Sequence, residues 1–145
     1  MCGDLDEDVH IDNEIFERFL QIARHHGVTP GEPAGPLPDL DDPSARARYM
    51  EQLFTAGLTR AVGDAAGARE GQRIEAVAAQ AIAFARFAGF LAGQLPPEAD
   101  LFRASIEALT DGHAMPARAR EEIARRNDHH HGHHHHHHGH HDHDH

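Results

Sequence analysis

Apolar residues recur every three or four positions along most of the chain, a spacing that predicts amphipathic helices. The first such stretch carries Ile15, Phe16, Phe19, Leu20, Ile22 and Ala23. Asp12 or Asn13 can cap its start, and Gly27 is a suitable stop. We therefore expect a first helix from about Asp12 to Gly27, preceded by an acidic, mobile leader over residues 1–12. His25 and His26 fall in its last turn, where a protonated ring is favoured by the helix dipole.

Four prolines between residues 28 and 42 break the helical pattern and predict a semi-rigid linker. Asp42 followed by Pro43 is a strong helix start, because aspartate caps and proline suits the first turn. A second helix should run from there to about Ala66. The residues that it should turn inward are Tyr49, Met50, Leu53, Phe54, Leu58, Ala61 and Val62.

The third helix, over about residues 68–94, should be the centre of the fold. Its inward positions are Ile74, Val77, Ala78, Ala81, Phe84, Ala85, Ala88, Leu91, Ala92 and Leu95. The opposite side carries Ile82, Phe87 and Phe90, so the helix is apolar nearly all round. Such a helix is surrounded by neighbours or buried in another subunit, and with so few helices present we expect a homodimer. The small face through which another backbone could approach closely is Ala81, Ala85, Ala88, Gly89 and Gly93.

Pro96–Pro97 should end that helix and start a fourth. Its inward positions are Leu101, Phe102, Ile106 and Leu109, and Gly112 should end it. His113 then lies in a turn, and Pro116 opens a short last helix rich in Glu and Arg. The prediction is an all-α domain over residues 13–127, a small bundle of four to five helices.

Composition and charge exclude several classes of partner and bond. The 145 residues carry a formal charge of −11, and every basic residue is an arginine. This acidity argues against nucleic acid as a partner. The single Cys2 excludes an intramolecular disulfide. We see no signal peptide at the acidic start, and the apolar stretch 76–92 is interrupted by Gln80 and Arg86. We therefore expect a cytoplasmic protein with no membrane span.

Every second position near the start carries an aspartate or a histidine, at Asp4, Asp6, Asp8, His10 and Asp12. In an extended chain they would share one side and could hold a cation. The first three also match the opening of a calcium loop. That match fails because Val9 stands where a glycine is needed and Ile15 where the bidentate glutamate belongs. An acidic lead into the first helix is the simpler interpretation.

The last eighteen residues, 128–145, read DHHHGHHHHHHGHHDHDH and hold thirteen of the seventeen histidines. These histidines are His129, His130, His131, His133, His134, His135, His136, His137, His138, His140, His141, His143 and His145. Neutral imidazole suits Ni²⁺, with Zn²⁺, Co²⁺ and Cu²⁺ as possible alternatives. Without apolar residues to bury, the tail should be disordered in the absence of metal. At about three to four ligands per ion it could hold roughly three or four ions.

Two other interpretations of the tail stay open. Residues 133–138 are an uninterrupted run of six histidines, as in a purification tag. Histidines on both sides of the run, the interspersed Gly and Asp, and the lack of a protease site or Gly-Ser spacer argue against a tag. The tail could also be a low-complexity segment without a selected role, although it would still bind divalent metal.

The segment HHHGHHHHHHGHHDHDH resembles the C-terminal tails of urease accessory nickel chaperones. It is also similar to histidine-rich segments of hydrogenase nickel-insertion GTPases, of a metal-binding prolyl isomerase, and of the accessory protein of nickel carbon-monoxide dehydrogenase. The resemblance covers about an eighth of the chain and implies nickel handling. The body departs from these families, since it has neither a GxxxxGK[ST] phosphate loop nor β-rich segments.

Three functions follow as hypotheses. The first is a metallochaperone or metal store whose body docks to a client metalloenzyme or its maturation factor. The second is a helical interaction or regulatory module with an incidental metal-binding tail. The third is a small helical enzyme. GxSxG, HExxH and CxxC motifs are all missing from the sequence, so we expect no catalytic activity.

Overall fold

The computed structural model describes the backbone of residues 3–33 and 35–131, and the side chains of residues 10–33 and 35–127. All regular secondary structure in these residues is helical, as predicted. The four α-helices are α1 (Gly3–His25), α2 (Pro43–Gly67), α3 (Arg73–Ala92) and α4 (Leu101–His131), with a 3₁₀ turn at Pro97–Ala99. Two compact units divide the chain, Met1–Phe102 and Arg103–His145.

Helix α2 begins at Pro43 with Asp42 as its cap, as the sequence predicts. Asp42 has an extended backbone, and its carboxylate accepts hydrogen bonds from the amides of Ser44 and Ala45 at 3.1 and 3.2 Å. Pro43 occupies the first turn, where its missing N–H costs nothing. The prediction that the Asp42–Pro43 pair begins a helix is confirmed.

Helix α1 begins at Gly3 rather than near Asp12, so the predicted leader is mostly helical. Neither Gly nor Pro interrupts residues 4–26, and acidic residues are favoured in the first turns of a helix by its dipole. A good cap at Asp12 or Asn13 therefore does not force the helix to start there. The stop is as expected, because Gly27 has a φ of 75° that suits the end of a helix.

Helix α4 runs unbroken past the expected stop at Gly112 and the expected turn at His113. Gly112 is not among the glycines with positive φ, and Pro116 removes only one backbone hydrogen bond from the helix. Strong helix formers surround both residues, including Ala114, Ala117 and Ala119. The two predicted helices are thus one, and it extends into the first histidines of the tail.

Helices α2 and α3 form an antiparallel hairpin through small residues. Gly57, Ala61 and Ala65 of α2 and Ala76 and Gln80 of α3 are half-buried. Most large side chains that were predicted to face inward are instead exposed. They are Met50, Leu53, Phe54, Leu58, Val62, Ile74, Val77, Phe84, Leu95, Phe102, Ile106 and Leu109. Close approach of two helices requires small residues between them, and this places the larger side chains outside the seam.

Replacing Gly112 by alanine tests the continuous α4. Because Gly112 is in the helix interior with no atom within 4 Å of an added Cβ, we expect Gly112→Ala to stabilise α4 by up to about 1 kcal/mol. Urea unfolding followed by circular dichroism measures the change. Gly27→Ala is the matched control and should destabilise, since a residue with a side chain is strained at a φ of 75°. Destabilisation by Gly112→Ala would instead indicate a helix end at residue 112.

Candidate functional site

The candidate site is the histidine tail, and the structure describes where it starts. The backbone of residues 128–131 is the last turn of α4, which includes His129, His130 and His131. The remaining predicted ligands, His133, His134, His135, His136, His137, His138, His140, His141, His143 and His145, lie outside the described residues. Disorder was predicted for residues 128–145, but the backbone of residues 128–131 is helical, and residues 132–145 lie outside the described residues.

Helix α4 is held along its length by ion pairs within its own surface. Arg103 Nη1 lies 2.7 Å from Glu107 Oε1, and Arg126 pairs with Glu122 one turn apart. Arg118 Nη2 lies 4.0 Å from Asp111 Oδ1. Exposed pairs of this kind contribute only a few tenths of a kcal/mol each, about 0.3–0.5. They support a solvated helix that carries the tail.

The other histidines with described side chains are not gathered into a site. His10 Nε2 is 3.4 Å from Glu14 Oε1 on the exposed side of α1. The His26 ring stands edge-on to Phe90 at 5.6 Å between centroids, and the His25 ring lies 5.5 Å from that of His26. Among the side chains that the structure describes, no group of three or more His, Cys, Asp or Glu could hold a metal ion. His26 therefore packs α1 against α3.

The alternating residues at the start of the chain do not share one side, as they would in an extended chain. A helical backbone turns about 100° per residue, so alternate positions point in different directions. Residues 3–12 are helical. The extended conformation on which the predicted cation site depended is therefore not the one that residues 3–12 adopt.

The Met1–Phe102 unit contains a polar network that was not predicted from the sequence. Arg60 Nε donates to Asp64 Oδ2 at 2.6 Å, and Gln80 Nε2 donates to the same oxygen at 3.3 Å. The hydrogen bond and the charge of Asp64 raise the pKa of Arg60. The four-residue spacing of Arg60 and Asp64 indicates that they can form an ion pair on one helix face. Nothing in the sequence indicates that Gln80 of α3 also contacts Asp64.

A second unpredicted contact joins α1 to the end of α3. Arg18 Nη2 donates to the carbonyl oxygen of Gln94 at 3.0 Å, and Phe19 stacks obliquely on Phe90 at 6.4 Å. The Gln94 side chain is buried and donates to the Phe90 carbonyl at 3.0 Å. A shallow apolar groove of about 310 Å³ beside it is lined in part by Phe16, Phe19 and Leu91. This groove has few polar groups, so its chemistry is packing rather than catalysis.

Comparisons with protein-family models, with curated proteins and with solved structures found no match to this chain. Its function must therefore be argued from its own residues. Of the described helices, α3 is long and apolar enough to cross a membrane by length and composition, with a mean hydropathy of 1.5. From the sequence alone this stretch is expected to fall short of a membrane span, and by length and composition it does not.

The prediction that the metal ligands are the histidines of residues 128–145 can be tested against the other four histidines. We expect replacement of His10, His25, His26 and His113 by glutamine to leave the number of Ni²⁺ ions bound per chain unchanged. Replacement of the thirteen tail histidines by glutamine should reduce tight Ni²⁺ binding to near zero, because the ligands are then gone. Isothermal titration calorimetry on both variants measures this. Equal losses in the two variants would place the ligands in the body as well as in the tail.

Proposed function

We propose that this protein binds divalent transition metal, nickel first, and stores it or delivers it to a client metalloenzyme or its maturation factor. The observation that carries the proposal is the concentration of thirteen imidazoles within residues 128–145. Imidazole nitrogen is a good ligand for Ni²⁺, Zn²⁺, Co²⁺ and Cu²⁺, and the metal here is cargo rather than a resident cofactor. No part of this role requires a catalytic group.

Loose, exchangeable binding follows from the number and similarity of the ligands. With about three to four ligands per ion, thirteen rings can form many alternative sets of equal strength. Asp128, Asp142 and Asp144 add carboxylates that can accept ring N–H groups or ligate directly. An ion can then move between sets without leaving the chain. Flexible imidazole sites follow the general first-row order of affinity, so copper binds tightest in vitro and cellular supply decides the cargo.

Helix α4 suits the role of a stem for this tail. Its 31 residues correspond to a length of about 46 Å at 1.5 Å per residue. Nearly all of its described side chains are exposed. A tail tethered near a docked client reaches an effective concentration in the ~millimolar range. The body would thus choose the recipient, and the tail would supply the ion.

The proposal includes a helical bundle of four to five helices as the docking body, in the cytoplasm and without a membrane span. A helical interaction or regulatory module with an incidental metal-binding tail is the second candidate. The observation that favours it is the exposure of large apolar side chains such as Phe102, Leu109 and Ile123 on α4. Exposed apolar side chains in this number are typical of a surface that binds a protein.

Changing the tail in the native host distinguishes the two candidates. One strain lacks residues 128–145, and a matched strain carries glutamine at the thirteen histidine positions, which keeps the tail length. We expect both to lose nickel-enzyme activity under nickel limitation and to recover it when nickel is supplied in excess, because only metal supply is impaired. Unchanged activity under limitation would contradict the delivery role and favour the interaction module.

Mild acidification should release the metal. A ring that gains a proton loses the lone pair that binds the ion, and imidazole titrates near pH ~6.5. Binding is therefore complete above this pH and lost as the pH falls below ~6. Competition with a chromophoric chelator at pH ~7.5 and ~5.5 measures the ratio of affinities, which we expect to fall at least tenfold. An affinity that is equal at both values would point to carboxylate ligands instead.

A further inference from the structure

The α2–α3 hairpin leaves a row of large apolar side chains beside its small-residue seam. On α2, Leu58 and Val62 are 52% and 61% exposed. On α3, Ile74 and Val77 are 82% and 50% exposed. Fully burying a side chain of this size stabilises a protein by about 1.5–3 kcal/mol. These four side chains, which are at least half exposed, would therefore stabilise the protein further if they were buried.

These side chains belong to one surface that spans both helices. A groove of about 470 Å³ brings Leu58 and Val62 of α2 together with Val77 of α3, over a floor of Ala61 and Ala65. A neighbouring groove adds Ile74 beside Ala65 and Val77. The surface therefore has large apolar side chains at its edges and small ones between them, and Arg73 also lines both grooves.

The same surface continues along both helices. Phe54, Leu58 and Val62 are four residues apart, which places them in one row on α2. Phe84 follows Val77 by seven residues on α3, and its ring lies 3.9 Å from a Cβ built on Gly57. We call the six exposed residues Phe54, Leu58, Val62, Ile74, Val77 and Phe84 the hairpin face.

We propose that the hairpin face is covered by the hairpin face of a second copy of this chain, so that two hairpins form a four-helix bundle. Each of these side chains exposes on the order of 100 Å² of apolar surface, so the six residues together expose roughly 600 Å². The alanines between them bring this close to the ~800 Å² per partner of a standard stable interface. Monomeric soluble proteins rarely expose a contiguous apolar patch larger than a few hundred Å².

The shape of the hairpin face also favours a second copy as its partner. A two-fold interface uses the same patch on both subunits, so each patch must carry both ridges and a groove. Here Leu58 and Val62 form one ridge, and Ile74 and Val77 form the other. Ala61 and Ala65 form the groove between them. Ridges of one copy can then occupy the groove of the other, as in antiparallel helix bundles.

A lipid bilayer is the main alternative partner for the hairpin face, because α3 is long and apolar enough to span one. The network of Arg60, Asp64 and Gln80 argues against it. Gln80 lies within the candidate span, and its hydrogen bond to Asp64 would carry that carboxylate and the paired Arg60 toward the hydrocarbon. Ionised side chains at that depth are costly. A protein partner leaves the network at the wet edge of the hairpin.

The dimer is independent of the histidine tail and goes beyond the proposed metal delivery. The hairpin face contains no metal ligand, so it should form with metal removed. A dimer doubles the number of imidazoles carried by one particle from thirteen to twenty-six. The two proposals can therefore fail separately.

Analytical ultracentrifugation of the full chain in excess EDTA tests the dimer. We expect a reversible monomer–dimer equilibrium, and we expect Val62→Glu to raise its dissociation constant at least ~10-fold, because an unpaired carboxylate would be buried. Ala56→Glu is the matched control. It places the same charge on an exposed position of α2 that borders Thr55 and Thr59 rather than the hairpin face, and it should leave the equilibrium unchanged.

A second measurement does not depend on the folding of the glutamate variant. Cys2→Ala with Val62→Cys gives one spin-label position, and electron–electron dipolar spectroscopy in EDTA should show a defined distance between the labels of two copies. The same label at Ala56→Cys should give a longer distance. A chain that stays monomeric, associates only when metal is added, or binds phosphatidylcholine–phosphatidylglycerol vesicles would overturn the proposal. Equal weakening by Val62→Glu and Ala56→Glu would do so too.

Discussion

Close approach of α2 and α3 depends on small residues at their contact, and this requirement shapes the rest of the Met1–Phe102 unit. Gly57, Ala61 and Ala65 allow the two helices to pack with little between them. The larger apolar side chains are then displaced to the edges of the hairpin. The buried set in the described residues is accordingly small, with Ala45 and Ala92 as its apolar members. An interior of this size stabilises a chain weakly, which is why we proposed that a second copy adds burial at the hairpin face.

Polar contacts determine how the hairpin and α1 are aligned. Asp64 accepts hydrogen bonds from Arg60 and from Gln80, which fixes the register of α2 against α3. Arg18 reaches the carbonyl oxygen of Gln94, and the ring of Phe90 is contacted by Phe19 and His26. These interactions contribute modestly to stability, since exposed charged pairs are screened by solvent. The contacts that join different helices are those of Gln80 with Asp64 and of Arg18 with Gln94, so these two favour the observed alignment.

In the proposed function, the body and the tail have different physical roles, and α4 connects them covalently. A compact helical surface recognises a partner through shape and apolar area, which requires fixed positions. A metal store benefits from the opposite property, since many equivalent ligand sets let an ion exchange. Placing the two functions in separate segments lets each be optimised without loss to the other. Helix α4 places Leu101 at its start and His129, His130 and His131 in its last turn.

The sequence by itself determined the helical class, the capped start of α2 and the chemistry of the tail. These properties are local, because periodicity, Asp42–Pro43 capping and imidazole ligation depend on neighbouring residues. The helical start at Gly3 and the continuity through Gly112 and Pro116 went against local signals, since a favourable cap or a glycine marks a boundary only as a preference. Only the tertiary structure decided which side of each helix is covered. The apolar stripes of α2 and α3 are wide enough to pack in several ways, and the small-residue seam, not the largest side chains, set the contact.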